Sequence, residues 1–178
     1  MKKGQAHSPL MRVEGDPVLR QTAAVVPNDL FGTPAFEKII ADMRQALRDE
    51  PYGVAIAAPQ IGVSYRIFVV RGYVFEHIRR TDPGAQELLD QVFVNPTITY
   101  RSEKKEVIQG EGCLSVPNVY GDIERSVRVR IVAQDEKGKK FLKNGSGLLA
   151  EIFEHECDHL DGILFIDKAT NLNEGKDR

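Results

Sequence analysis

Gly147-Leu148-Leu149-Ala150-Glu151-Ile152-Phe153-Glu154-His155-Glu156-Cys157-Asp158-His159-Leu160-Asp161-Gly162 is the stretch on which the reading of this chain turns. Leu148, Leu149, Ile152, Phe153 and Leu160 supply the apolar part of a helix, and Gly162 ends it. His155 and His159 stand four apart, so they project from one helical face one turn apart. Two imidazole nitrogens placed so can bind a single metal ion. Glu156 lies beside the first histidine, close enough to act on a water at that metal without being a ligand. Such a short pattern also arises by accident on charged surface helices. Two features favour the metal: the helix is half apolar, and the chain has only 4 histidines. The other two, His7 and His77, read as ordinary surface or loop residues.

A catalytic site that keeps one position open wants three protein ligands. Downstream, Phe165 stands where a metzincin-type third histidine would be needed, and Glu174 lies in a polar tail with no helix around it. The third ligand is therefore expected upstream, at Glu111-Gly112-Cys113-Leu114-Ser115. Gly110 and Gly112 before Cys113, and Pro117 after it, allow a close backbone approach. Such a stretch can aim a thiolate and the following backbone N–H at one point, and a divalent metal would hold that thiolate deprotonated. The competing fate of Cys113 is that of a buried free cysteine. Cys157 lies two residues from each histidine, points away from their shared face, and is expected to pack in the helix.

Around these elements the chain reads as α+β. Short, mostly antiparallel strands pack about a central metal-binding helix, with one N-terminal helix besides. That second helix is carried by Phe36, Ile39, Ile40, Met43 and Leu47, with Thr33 as N-cap, Pro34 at the first position, and Pro51 and Gly53 as its stop. Strands are expected at Arg66–Arg71, at Val92–Val94 before Asn95-Pro96, at Ser126–Gln134, and at Lys139–Leu142 after the Asp135–Gly138 turn. Gly72–Asp90 reads as a polar surface excursion with a short helix at its end. The 178 residues, 42% hydrophobic and 28% charged, suit one domain over 1–178, with 1–10 and 170–178 as loose termini. A net charge of -2 gives no basic field for nucleic acid. No secretory leader or membrane-length apolar run is seen, so the default location is cytoplasmic, in a reducing compartment without a disulfide.

Three ordered segments together resemble the peptide deformylase family: Gly53-Val54-Ala55-Ile56-Ala57-Ala58-Pro59-Gln60, Glu111 to Ser115, and His155-Glu156-Cys157-Asp158-His159. Gly15 to Arg20, Asn95-Pro96, the Asp135 turn and Gly162 to Asp167 extend the likeness from about Val13 to Lys168. The resemblance implies a hydrolase that removes the formyl group from N-terminal formylmethionine of nascent polypeptides, near the ribosome, and releases formate. It implies that Cys113, His155 and His159 bind one divalent ion per chain, with water in the fourth position. That ion would be ferrous iron in the cell, with zinc, nickel or cobalt able to replace it. Glu156 would be general base and then general acid. Gln60 and the backbone N–H of Leu114 would hold the oxyanion, the kind of fixed donors such an intermediate needs; outside the family pattern Gln60 would read as an exposed loop amide. Val54, Tyr120, Leu148 and Ile152 are candidate walls of a methionine pocket, although Leu148 and Ile152 also suit a plain core. The backbone at Ala55 and Gly112 suits an extended peptide added as a strand.

The chain departs from the family at several positions. Ala55 replaces a glycine, Ile56 a leucine, and Glu154 a glutamine. Glu151, on the helical face of His155, reads as a solvated rim charge. These changes bear on substrate preference, and they leave two rivals: a deformylase-like paralogue with altered substrate, and a metallopeptidase. A binding protein with a structural metal would want four protein ligands.

Overall fold

The computed structural model describes residues 8–76 and 88–175; His7 and His77 lie outside them. The helix expected from Gly147 is α3, Leu148–Leu160. Gly162 follows it at φ 75°, and a Cβ there would meet the Arg20 backbone at 2.8 Å, so the turn requires glycine. Leu149, Ala150, Ile152, Phe153, Cys157 and Leu160 join one core, while Glu154, Glu156 and His159 are buried as well. A helix covered on nearly every side is held by its neighbours more than by amphipathicity.

Two antiparallel sheets supply those neighbours. The first has the order β1-β2-β3-β6-β7, from Ala55–Ala57 (β1), Ile67–Val70 (β2), Gln91–Arg101 (β3), Arg128–Gln134 (β6) and Lys140–Ser146 (β7). The second has the order β4-β5-β8, from Lys105–Cys113 (β4), Val116–Ser126 (β5) and Thr170–Glu174 (β8). Phe153 of α3 meets Phe93 of β3 edge-on at 5.3 Å, and Phe68 of β2 stacks on Phe93 at 4.6 Å. The opposite face of β1–β3 is covered by α1, Pro34–Asp49, through Phe36, Ile40, Met43 and Leu47. The α+β class, with antiparallel strands about a central helix, is as expected.

Several local expectations are corrected. β3 does not stop at Asn95-Pro96. Asn95 takes φ 50°, and its side chain bonds Val26 N at 2.8 Å, Val26 O at 3.0 Å and Gln134 Oε1 at 2.9 Å. The register shifts there, so the proline sits in a bulge and the strand continues. The Gly72–Asp90 excursion opens with a helix that was not expected, α2 (Gly72–Phe75), with Gly72, Tyr73 and Val74 buried; the helix expected at its end falls largely on residues 77–87, which lie outside the described ones. The tail expected to fray instead forms β8 against β5, with Tyr120 opposite Asn173. At the other end Ser8 is buried and anchored, its N–H donating to Glu50 and its hydroxyl to Asp49. Strands β4 and β5 escaped the sequence reading altogether.

Candidate metal centre

Cys113 is the last residue of β4 before a two-residue turn, Leu114-Ser115, so its expected glycine-flanked loop is the tip of the β4–β5 hairpin. Gly110, at φ 72°, occupies the register shift between Ile108 and Glu111. The hairpin's inward row carries Glu111 and Arg125, both 4% exposed, toward α3. This brings Cys113 Sγ to 3.1 Å from His159 Nε2. The ligand atoms of Cys113, His155 and His159 all lie within 4.8 Å of one another, and among the described residues no fourth residue joins the group.

The hairpin also orients the first histidine. Nδ1 of His155 lies 2.7 Å from Glu111 Oε1. An ionised carboxylate only accepts, so Nδ1 carries the proton and Nε2 is left to face the thiol. Glu111 is gripped by Arg125 through Nη2 at 2.6 Å and Nε at 3.0 Å, and Arg125 also donates to Asp158 at 2.8 Å. Lys168 closes the chain on Asp158 at 2.7 Å. Burial would raise the Glu111 carboxyl, but His155 and Arg125 bring it down to about 2. Burial likewise pushes the Cys113 thiol up, and the two histidines outweigh it and hold the thiol at about 5. A low thiol, an imidazole with its free nitrogen aimed inward, and a second imidazole form a donor set that fits a divalent metal with one position open.

Glu156 is buried, and its Oε2 has no hydrogen-bond partner among the described residues; the same holds for His159 Nδ1. Burial raises the Glu156 carboxyl to about 7, against the pull of both histidines. Such a carboxyl is poised to trade protons near neutrality. Gln60 is no exposed loop amide: it is 2% exposed, in a 3₁₀ turn over Ala58–Ile61. Its Oε1 accepts from Ala57 N at 2.8 Å, which aims Nε2 at Ser115 Oγ, 3.0 Å away, and toward Cys113 Sγ at 3.7 Å. The N-terminal segment ties the two loops together, with Arg12 N donating to Gln60 O and Glu14 N to Ser115 O, each at 2.7 Å. Cys157 is buried in the core and its thiol is pushed up to about 12 by burial, which suits an inert packing role; neither cysteine is in a disulfide.

The pocket residues separate. Ile152 is buried in the core that also holds Ala55, and Val54 packs against it; Leu148 is half exposed at the first turn of α3. Tyr120 does not join them. It is paired with Gly112, on the row opposite to inward-facing Glu111, and its ring fills the space over Gly112 and Gly175, on the outer face of the hairpin. The methyl of Ala55 enters the core, and β1 keeps one edge unpaired, because β2 takes the other. Glu151 is half-buried, and burial with neighbouring Glu111 raises its carboxyl to about 7, so it is not a solvated rim charge. Glu154 is compensated by Arg101 at 2.8 Å and Ser126 N at 2.8 Å. The Glu111–Arg125–Asp158 chain was missed. Its signal was present in the rule that a ligating histidine hands its second nitrogen to an acceptor.

The family model of polypeptide deformylase matches residues 10–175. A peptide deformylase of Thermus thermophilus is 41% identical over 162 residues, covering 89% of this chain and 80% of that one. A peptide deformylase of Legionella pneumophila superposes with a TM-score of 0.76 at 35% identity, covering 90% of this chain and 85% of that one. A Met-Ala-Ser-bound class I type b peptide deformylase of Acinetobacter baumannii gives 0.76 at 30% identity, covering 89% and 96%.

Proposed function

The chain belongs to the peptide deformylase family, hydrolases that remove the N-formyl group from nascent peptides, and we propose that it does so with a divalent metal held by Cys113, His155 and His159. The observation that carries this is the buried, unpartnered Oε2 of Glu156 beside three converging S and N donors. A divalent ion bound there would acidify a water and polarise the formyl carbonyl. Ferrous iron is the proposed ion, with zinc, nickel or cobalt as substitutes suited to the same donors.

The chain's own residues do the rest. Glu156 takes a proton as water oxygen bonds to the formyl carbon. Gln60 Nε2 and the backbone N–H of Leu114 hold the oxygen that gains charge. The C–N bond then breaks, Glu156 returns the proton to the leaving amine, and formate and a free methionine N-terminus separate. Glu111, fixed by Arg125, keeps His155 in one tautomer. The peptide lies extended between two strand edges, those of β1 at Ala55 and β4 at Gly112, each the outermost strand of its sheet. Val54 and Ile152, with Leu148 at the mouth, are proposed to receive the methionine side chain. The partners are formylmethionyl nascent chains close to the ribosome in a cytoplasmic compartment, met by one catalytic domain. Among the described residues no helix is long and apolar enough to cross a membrane.

Purified anaerobically with ferrous iron, the parent is expected to release formate from formyl-Met-Ala-Ser, and Glu156→Ala to lower kcat by about 10²–10⁴. No formate with one metal per chain would assign a different substrate. Cleavage of the unformylated peptide would assign a peptidase.

A further inference from the structure

We infer that Glu151 determines side-chain selectivity, by setting a carboxylate into the wall of the pocket that receives the first residue of the substrate. The inference rests on the deformylase reading above. Glu151 lies three residues after Leu148, one before Ile152 and four before His155, so it shares their stretch of α3. This face of α3 turns toward the hairpin: His155 meets Glu111 there, and Asp158 meets Arg125. Glu151 is half-buried on the same face, and among the described residues neither a hydrogen bond nor an ion pair engages its carboxylate. The other carboxylates of that face are matched: Glu154 by Arg101 and Ser126, Asp158 by Arg125 and Lys168. A half-buried charge beside an open site, left without a protein partner, favours a ligand group that donates to it. Burial, with the neighbouring Glu111 charge, raises its carboxyl to about 7, against the pull of His155 and Arg125.

The occupant favoured at the far end of this pocket is therefore a side chain that ends in a donor or a cation, and a purely apolar one is penalised. Methionine stays acceptable through its polarizable sulfur. Neutralising or removing the carboxylate should tilt the pocket toward apolar side chains.

The test compares kcat/KM at pH 8 for formyl-Met-Ala-Ser, formyl-norleucyl-Ala-Ser and formyl-Lys-Ala-Ser, using the parent, Glu151→Gln and Glu151→Leu. The lysyl-to-norleucyl ratio is expected to fall at least tenfold from parent to Glu151→Leu, with Glu151→Gln between them. A ratio that moves less than twofold in both variants overturns the assignment. So does a selectivity change found only between formyl-Met-Lys-Ser and formyl-Met-Ala-Ser, because the carboxylate would then face the strand groove. If the parent releases formate from no peptide, the deformylase reading fails separately. The affinities of Lys-Ala-Ser and norleucyl-Ala-Ser for the zinc-loaded parent and Glu151→Leu then decide the inference, with the same tenfold change in their ratio supporting it and an unchanged ratio overturning it.

Discussion

Helices α1 and α3 are of similar length and are built on opposite plans. α1 carries its own supports. Thr33 Oγ accepts from Phe36 N at 3.2 Å, Pro34 opens the first turn, and Lys38–Asp42 and Gln45–Asp49 pair along the solvent face at 2.7 Å. α3 has no side-chain cap at either end and encloses Glu154, Glu156 and His159. Its polar side chains find partners on β3, β4 and β5 and at Lys168, or find none. α1 is thus a helix that the sequence stabilises locally, and α3 one that the rest of the fold holds in place. The unsatisfied groups of α3 are the ones assigned chemistry here, which is where a fold is expected to tolerate local disagreement.

The harshest test of that contrast is Arg125→Ala. Arg125 is buried and compensates both Glu111 and Asp158, so its removal leaves the buried Glu111 without a cation and Asp158 with Lys168 alone. The expected loss is about 3–5 kcal/mol of stability, the cost of breaking a buried pair from one side. His155 loses its fixed tautomer as well, so metal content per chain should fall. Arg125→Lys should recover part of the stability and less of the metal, since one ammonium cannot reproduce the two-pronged grip on Glu111. Urea midpoints with metal analysis check both. A variant within about 1 kcal/mol of the parent, fully loaded, would mean that α3 supports itself as α1 does.

A smaller effect, of the opposite sign, is expected at Glu156. Its carboxyl is raised in the folded protein to about 7, from an ordinary 4.5. A group raised on folding favours the native state below its unfolded value, and that contribution is lost as pH climbs through the folded one. Between pH 4.5 and 7 the metal-free protein therefore loses up to about 3 kcal/mol at this site, and the loss is complete above pH 7. Glu156→Gln has no such charge to bury. The metal-free variant should be more stable than the parent at pH 8 and equal to it near pH 4, while its formate release collapses. Equal stability at both pH values would place the carboxyl in water and break the contrast between the helices.

The same contrast explains what the sequence made legible. α1 was readable from period, cap and proline because its determinants are local. α3 was readable because His155, Glu156 and His159 have no apolar reason to share a buried helix. β4 was not, since Lys105–Gly110 is mostly exposed and its two apolar residues, Val107 and Ile108, stand side by side and so show no alternation; its place follows from pairing with β5. β5 hid behind Asn118 at φ 63° and Gly121, which interrupt its pattern. Cys113 could thus be named as a ligand while its hairpin could not. Tyr120 was misplaced for the same reason: without the register that sets it opposite Gly112, nothing says which face it takes. Glu111 and Arg125 are fourteen residues apart, and only the hairpin joins them.

The mildest perturbation belongs to the self-supporting helix. Thr33→Ala removes the one side-chain acceptor for the first turn of α1 and should cost about 1 kcal/mol, seen as a fall in Tm of about 2–4 °C for a chain of this size. Metal content and kcat should stay at parental values, because α1 covers the far face of β1–β3 and places no side chain in the centre. The variant is informative because α1 is not remote. Met43 and Leu47 share a core with Ile61 and Ala58, the residues that frame Gln60. If formate release fell more than twofold with metal retained, the turn carrying Gln60 would be taking its position from α1. The division between a helix for stability and a helix for chemistry would then have to be redrawn at that turn.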